Sequence, residues 1–287
     1  MSKHNARIIF QCVVGIAVAV AGMVRPAPAQ AQDGKALLMK VMQAYQGLSS
    51  YEGTASVTNL IVRQGKSAPV AAVTTVMKYK KPNKLHLAMT TSRGSKQVYS
   101  DGTTFSVFLP ASSQYITEPT MPTLSAMGNL LATRAQVIGR LDPLFFLTYN
   151  KLPPNLSDFK VDGETNYEGQ RVIMVRAVSR QEARTTKLPN GKTVTTPPAV
   201  LSWKWWIDKK TNLLRKVEAR ESNVSITVSR REGNKTVPQK VAVDMLIRHA
   251  ILSCTANPAL NDADFTFRPP AGATRFRSVD ELLKGSN

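Results

Sequence analysis

Histidine and cysteine are nearly absent, with three and two among 287 residues. His4 and Cys12 stand near the N-terminus, so the rest of the chain holds only His86, His249 and Cys254. A zinc site needs three or four such ligands at recognisable spacing, and the sequence has no such cluster. His249 and Cys254 are near enough to meet across a bend, yet two ordinary strand-end residues explain them more simply than a ligand pair or a Cys–His dyad. Acidic side chains are also few, 19 against 38 Lys and Arg, and none form a close pair in an evident cleft-forming segment. There is no G-x-S-x-G elbow. Ser157-Asp158-Phe159-Lys160 fits S-x-x-K without the S-D-N and K-T-G partners that give that pattern its chemistry. No Gly-rich loop leads from a strand into a helix, which leaves nucleotide binding without support. These absences argue against an enzyme and imply neither a metal nor a cofactor.

Long apolar runs are confined to the first residues. Lys3 and Arg7 precede Ile8–Val24, an apolar stretch broken by Gln11, and Pro26-Ala27-Pro28-Ala29-Gln30-Ala31 follows. This is the three-part pattern of a secretory signal, with Ala29-Gln30-Ala31 at the spacing a signal peptidase accepts. The apolar run is just long enough for an uncleaved membrane anchor, but its small-residue tail favours cleavage. No cysteine follows the cleavage site, so the chain does not read as a lipoprotein. Removal of residues 1–31 takes away Lys3, Arg7 and Arg25 and no acid, so the net charge falls from +19 to +16. Cys254 is then the only thiol and cannot form an intrachain disulfide, although the compartment is oxidising. A lone thiol of this kind is usually a small buried hydrophobe. The positive charge points to anionic partners (lipid headgroups at a membrane surface, an acidic polymer or an acidic protein) or to solubility alone. Export, and the spread of the charge over strand-like segments, argue against nucleic acid.

The mature segment, 32–287, reads as one domain without repeat or linker. Asp33 caps a helix to Gly47, with Leu37, Leu38, Val41 and Tyr45 on one face. From Tyr51 the period becomes two. Strands are expected at 53–63, 70–79, 84–92, 96–100 and 103–109, with Asp101-Gly102 a hairpin signal, and at 114–117. Residues 124–138 form a candidate helix. Asp142-Pro143 opens a second, very apolar one over 143–149, which must lie against something apolar on more than one side. Strands resume at 158–162, 170–180, 200–208, 212–221, 224–231, 239–249 and 264–268, with 184–199 a polar excursion. Ser278-Val279-Asp280-Glu281 opens a C-terminal helix with a capping box. The fold class is α+β: an antiparallel sheet curled into an incomplete barrel around one or two helices. Such a sheet fills its concave face with side chains or leaves room for a guest. Met77, Leu85, Leu87 and Met89 alternate along two strands as an adaptable wall. Trp203 and Trp205 share one strand face, and Trp206 points to the other.

Five segments resemble the outer-membrane lipoprotein carrier (LolA-like) family. These are the N-terminal helix running into Leu48-Ser49-Ser50-Tyr51-Glu52-Gly53, Tyr79-Lys80-Lys81-Pro82-Asn83-Lys84-Leu85, Val98-Tyr99-Ser100-Asp101-Gly102-Thr103-Thr104-Phe105, Asp142-Pro143-Leu144-Phe145-Phe146-Leu147, and Phe265-Thr266-Phe267-Arg268-Pro269-Pro270-Ala271-Gly272-Ala273. They occur in the family's order and cover most of the mature chain, which is most similar to a longer periplasmic branch. The resemblance implies a half-barrel with a hydrophobic cavity under a lid helix, and periplasmic binding of an acyl chain, lipid or acylated lipoprotein without catalysis. With the alternating wall and the tryptophan pair, the candidate ligand-binding residues are Lys81, Met77, Leu87, Met89, Phe145, Phe146, Leu147, Trp203 and Trp205. Carriers have arginine where this chain has Lys81, and lysine lacks the planar bidentate contacts of a guanidinium. The alternatives are a regulatory module, similar to envelope-stress sensors of this fold, that binds an acidic partner protein, and a cell-wall or polymer-binding protein without a lipid pocket.

The leader makes the first testable statement. The intact mass of the periplasmic protein should correspond to a chain starting at Gln32, and a full-length species held in the membrane would contradict it.

Overall fold

In the computed structural model the described residues are 33–92, 94–133, 152, 155–187, 193–196, 198–232, 235–278 and 281. The first element is α1 (Gly34–Gly47), capped by Asp33, whose Oδ1 accepts from Lys35 N–H at 2.9 Å. Six strands follow: β1 (Ser50–Arg63), β2 (Lys66–Lys80), β3 (Lys84–Thr91), β4 (Gly94–Asp101), β5 (Thr104–Leu109) and β6 (Gln114–Pro119). Then come α2 (Leu124–Thr133), β7 (Leu156–Tyr167) and β8 (Gln170–Gln181). A short ribbon of β9 (Arg184–Lys187) and β10 (Thr193–Thr196) occupies the expected polar excursion. β11 (Ala199–Asp208), β12 (Leu214–Glu232), β13 (Lys235–Ala256) and β14 (Thr274–Phe276) complete the chain.

Twelve strands form one sheet in the order β14-β6-β5-β4-β3-β2-β1-β13-β12-β11-β8-β7. Every pairing is antiparallel except that of β14 with β6, and β14 and β7 remain as separate edges. The sheet is therefore open, as the α+β half-barrel expectation requires. Its register follows from turn chemistry. Gln64-Gly65 closes β1–β2 with both residues at positive φ, the two-residue hairpin geometry that suits the strand twist. Asp101 accepts from the N–H groups of Thr103 and Thr104, each at 2.8 Å, and so builds the expected Asp-Gly turn. Its carboxyl is held down to about 2 by those hydrogen bonds, against the opposing effect of burial.

One face of the sheet, called inner here, packs on the helices in a continuous apolar core. Leu37, Leu38, Val41, Met42 and Tyr45 of α1, with Met127 and Leu131 of α2, join Met77, Leu85, Leu87, Val98, Val175 and Trp205 there. Each large apolar side chain so buried stabilises by about 1.5–3 kcal/mol. Tyr45, Tyr51 and Tyr79 anchor α1: Tyr51 stacks on Tyr79 at 5.6 Å, and Tyr45 lies 6.0 Å from Tyr51. The Tyr51 ring lies over Gly53, where a Cβ would stand 2.4 Å from the Tyr51 hydroxyl oxygen.

The C-terminal segment crosses the opposite, outer face as a strap. Asn257 turns the chain: its side chain accepts from Ser49 N–H at 2.8 Å, and its own N–H donates to Ser50 O at 2.9 Å. Asp262 then meets Lys84 at 2.7 Å, and Asp264 meets Lys78 at 2.9 Å. Phe267 sits among Tyr99, Phe108 and Tyr115, with centroids 5.3–5.5 Å away. The expected strand at 264–268 is corrected here. Asn261 and Asp264 cap each other's backbone and wind Asp262–Phe265 into a 3-10 turn, and the last strand is β14. The expected strands 212–221 and 224–231 are one strand with an irregularity between Glu221 and Val224. There Asn223 takes φ +60° and its N–H donates to Asp244 Oδ1 at 3.0 Å. The expected helix 124–138 is seen as Leu124–Thr133. Its remainder, the apolar segment 143–149 and most of the C-terminal helix lie outside the described residues. Glu281 N–H does donate to Ser278 Oγ at 3.2 Å, as the capping box requires.

Gly53→Ala should lower stability by about 1–3 kcal/mol, because Tyr51 must leave its place against Tyr45 and Tyr79. Urea unfolding reads this, and an unchanged midpoint would refute the packing described.

Candidate functional site

The inner face divides into two regions along the strands. At the end where α1 enters β1, the side chains are sealed: Met77, Tyr79, Leu85 and Leu87 are at most 2 % exposed beneath α1 and α2. Toward the other end, where β1 turns into β2, several large apolar side chains on the same face are only half-buried, while the small Ala177 and Ala219 stay buried. Strand pairing aligns Val57, His249, Val217, Trp205 and Val175 in one row across the sheet. The next row outward holds Asn59, Ile247, Ala219, Trp203 and Ala177. Trp205 is 2 % exposed and belongs to the core, whereas Trp203, Val57, Ile247 and Val73 are half-buried. The two indoles stack at 5.8 Å and 9°. The Trp203 indole nitrogen is shielded from solvent and has no acceptor among the described residues.

A cation shares this face. Lys96 is two residues from the buried Val98 on β4 and pairs with Met89 of β3, so it stands on the inner side. Burial pushes its ammonium below the ordinary lysine value. Sequence reasoning missed Lys96 because a lysine in a strand is taken as outward-facing. Its even spacing from Val98 and Ser100 was the available signal.

The expected ligand-binding residues therefore fall into three groups. Met77, Leu87, Met89, Trp203 and Trp205 are gathered on the inner face, and all but Trp203 are core residues. Lys81 is set apart from them: it is exposed, its N–H donates to Ser49 O at 2.9 Å, and its ammonium donates to the Gln46 carbonyl at the end of α1. Phe145, Phe146 and Leu147 lie outside the described residues. Trp206 points outward, as alternation requires, under the ammonium groups of Lys216 at 4.2 Å and Lys204 at 5.3 Å.

An outer-face groove of about 410 Å³ is lined by Lys160, Asp162, Arg176, Lys204, Glu218 and Arg220. Its cations are largely matched: Arg176 meets Asp162 at 2.7 Å, Arg220 meets Asp244 at 2.5 Å, and Glu218 holds Lys216 and Arg248 at 2.9 and 2.8 Å. The groove reads as a ladder of ion pairs across strands.

Cys254 and His249 are not placed as a dyad. His249 pairs across the sheet with Val57 and Val217, while Cys254 pairs with Gly53 and accepts from Arg215 Nη1 at 3.6 Å. Burial pushes the Cys254 thiol up, which disfavours the reactive thiolate. Among the described residues no group of three His, Cys, Asp or Glu could hold a metal ion.

Fold and site define a class: an open antiparallel half-barrel whose inner face is sealed by helices at one end and presents half-buried apolar side chains at the other. The chain belongs to the family described as "Predicted periplasmic protein (DUF2092)", whose model matches residues 34–277. Its localisation is periplasmic. Among curated proteins none matches by sequence. Solved structures similar to it include an uncharacterized conserved protein from Thermus thermophilus, at 10% identity and TM-score 0.41, over 86% of this chain and 100% of that one. LprF from Mycobacterium bovis is similar at 10% identity and TM-score 0.40, over 79% and 94%. A LolA superfamily protein from Nitrosomonas europaea is similar at 11% identity and TM-score 0.28, over 83% and 99%.

The two stacked tryptophans should separate in their effect on stability. Trp205→Ala should cost about 3–5 kcal/mol, as for a large core side chain, and Trp203→Ala clearly less. Equal losses in urea unfolding would place both in the core.

Proposed function

We propose that the protein is a noncatalytic periplasmic binding protein that takes the acyl chain of a lipid or lipoprotein against the half-buried part of its inner face. The observation that carries this reading is the division of that face. Helices cover one half completely and leave Trp203, Val57, Val73 and Ile247 partly uncovered in the other. Ligand sites of this class are mostly apolar with a few placed polar groups. Here the polar groups on the inner face include the Trp203 indole N–H, which lacks an acceptor among the described residues, the His249 and Asn59 side chains and the Lys96 ammonium. An acyl chain supplies methylenes to the wall, worth about 0.8 kcal/mol each when buried. Methionine in the adjoining core, Met77 and Met89, lets the wall adjust to chains of different shape. Such a role needs no nucleophile, metal or cofactor.

Binding of a fluorescent fatty acid tests the reading. The parent protein should bind it, and Trp203→Ala should weaken binding about tenfold or more, from the loss of one large apolar wall residue at roughly 1.5–3 kcal/mol. Failure of the parent protein to bind any acyl probe, or unchanged affinity in a folded Trp203→Ala protein, would overturn it.

A further inference from the structure

Basic charge is concentrated where the sheet is least supported. β13 pairs with β1 only from Asp244 onward, and β12 pairs with β11 only up to Glu221. Beyond these points β12 and β13 pair with each other alone, from Val224↔Val243 to Glu232↔Lys235. The ribbon extends past the end of β1. The β1–β2 turn and the β9–β10 ribbon, which joins β8 to β11, emerge at the same end of the sheet. A two-stranded ribbon is marginal in water unless something packs on it.

The composition of this end is lopsided. Among the described side chains of 63–70, 180–200 and 222–242, Arg63, Lys66, Arg180 and Lys240 stand against Glu182 as the one acid. At the α1 end several cations have carboxylate partners, such as Lys84 with Asp262, Lys209 with Glu164 and Arg215 with Asp208. Arg63, Lys66 and Lys240 at the ribbon end are exposed and make no salt bridge among the described residues. Exposed aliphatic side chains belong to the same end. Of five large hydrophobic residues exposed among those described, Val70, Val200 and Val237 belong to this end, at 59%, 54% and 38%.

We propose that this ribbon end is a docking surface for an anionic lipid bilayer. Unpaired cations interleaved with exposed valines suit a bilayer interface: aliphatic groups enter the headgroup layer while long cationic side chains reach the phosphates. An acidic polymer or acidic protein would reward the charges but not the valines. Periplasmic residence sets the chain between two membranes, so such a surface is within reach. The half-buried part of the inner face lies toward the same end, so docking would bring it to the bilayer. The docking surface itself does not depend on the ligand reading, since vesicle binding is measured whether or not an acyl probe binds.

The test is co-sedimentation of the mature protein with vesicles of phosphatidylglycerol and phosphatidylethanolamine, beside vesicles of phosphatidylcholine alone. Binding is expected to the anionic vesicles only and to weaken in 0.5 M salt, at about a 4 Å screening length. Arg63→Gln/Lys66→Gln/Lys240→Gln should lower affinity about a hundredfold, at roughly fivefold per cation. Val70→Asp/Val237→Asp should weaken it too, while Lys209→Gln/Lys210→Gln at the other end should not. All these positions are exposed, so the variants should keep the parent melting temperature. No vesicle binding, binding to neutral vesicles alone, an equal loss in the Lys209/Lys210 variant, or binding to poly-glutamate without binding to vesicles would overturn the proposal.

Discussion

A twelve-stranded open sheet has one apolar face too large to leave in water, and α1 cannot cover all of it. That mismatch shapes the rest of the molecule. α1 seats five large apolar side chains, Leu37 to Tyr45, in the concavity, and the Tyr45–Tyr51–Tyr79 group fixes where it sits. α2 adds Leu124, Met127 and Leu131. Beyond their reach the strands continue, and on β11 the inward side chain changes from sealed at Trp205 to half-buried at Trp203. The outer face solves its problem differently. Over β3–β6 the C-terminal strap covers it with Phe265 and Phe267, and over β8–β13 charged side chains pair across strands.

The strap also ties the chain's two ends of sequence together. Asn257 bonds to Ser49 and Ser50 at the entrance of β1, and two lysine–aspartate contacts hold the following turn to β2 and β3. Each surface pair contributes little alone. The buried Phe265 and the aromatic cage around Phe267 carry more of the attachment. With β14 added in parallel beside β6, the strap covers one edge of the sheet. The other edge, β7, is irregular, with positive φ at Asn155 and Asp158 and two register shifts against β8, which makes it a poor template for a further strand.

Much of this was legible in the sequence wherever one physical signal dominated. Helical spacing behind Asp33 placed α1 within a residue, and Asp101-Gly102 placed the β4–β5 turn. Strand alternation read Met77, Leu85, Leu87 and Met89 as a wall along their strands, and put Trp203 and Trp205 on one face of β11 and Trp206 on the other. It could not distinguish a sealed position such as Trp205 from a half-covered one such as Trp203, because that depends on where α1 and α2 stop. Residues 264–268 looked like a strand because Phe265, Thr266 and Phe267 alternate, yet reciprocal capping by Asn261 and Asp264 decides the local backbone. Lys81 sits beside a strand-end proline as in the family pattern, but its ammonium is committed to the end of α1. The unpaired cations at the ribbon end follow from long-range pairing, which brings the β1–β2 turn and the outer parts of β12 and β13 to one end of the sheet.

The central claim is that the uncovered part of the inner face holds an acyl chain. Native mass spectrometry of the protein taken from its own periplasm measures this most directly. The account predicts a bound species with the mass of an acyl-bearing molecule, released by delipidation and restored by adding lipid. Bare protein in the native extract that stays bare in excess lipid would contradict it.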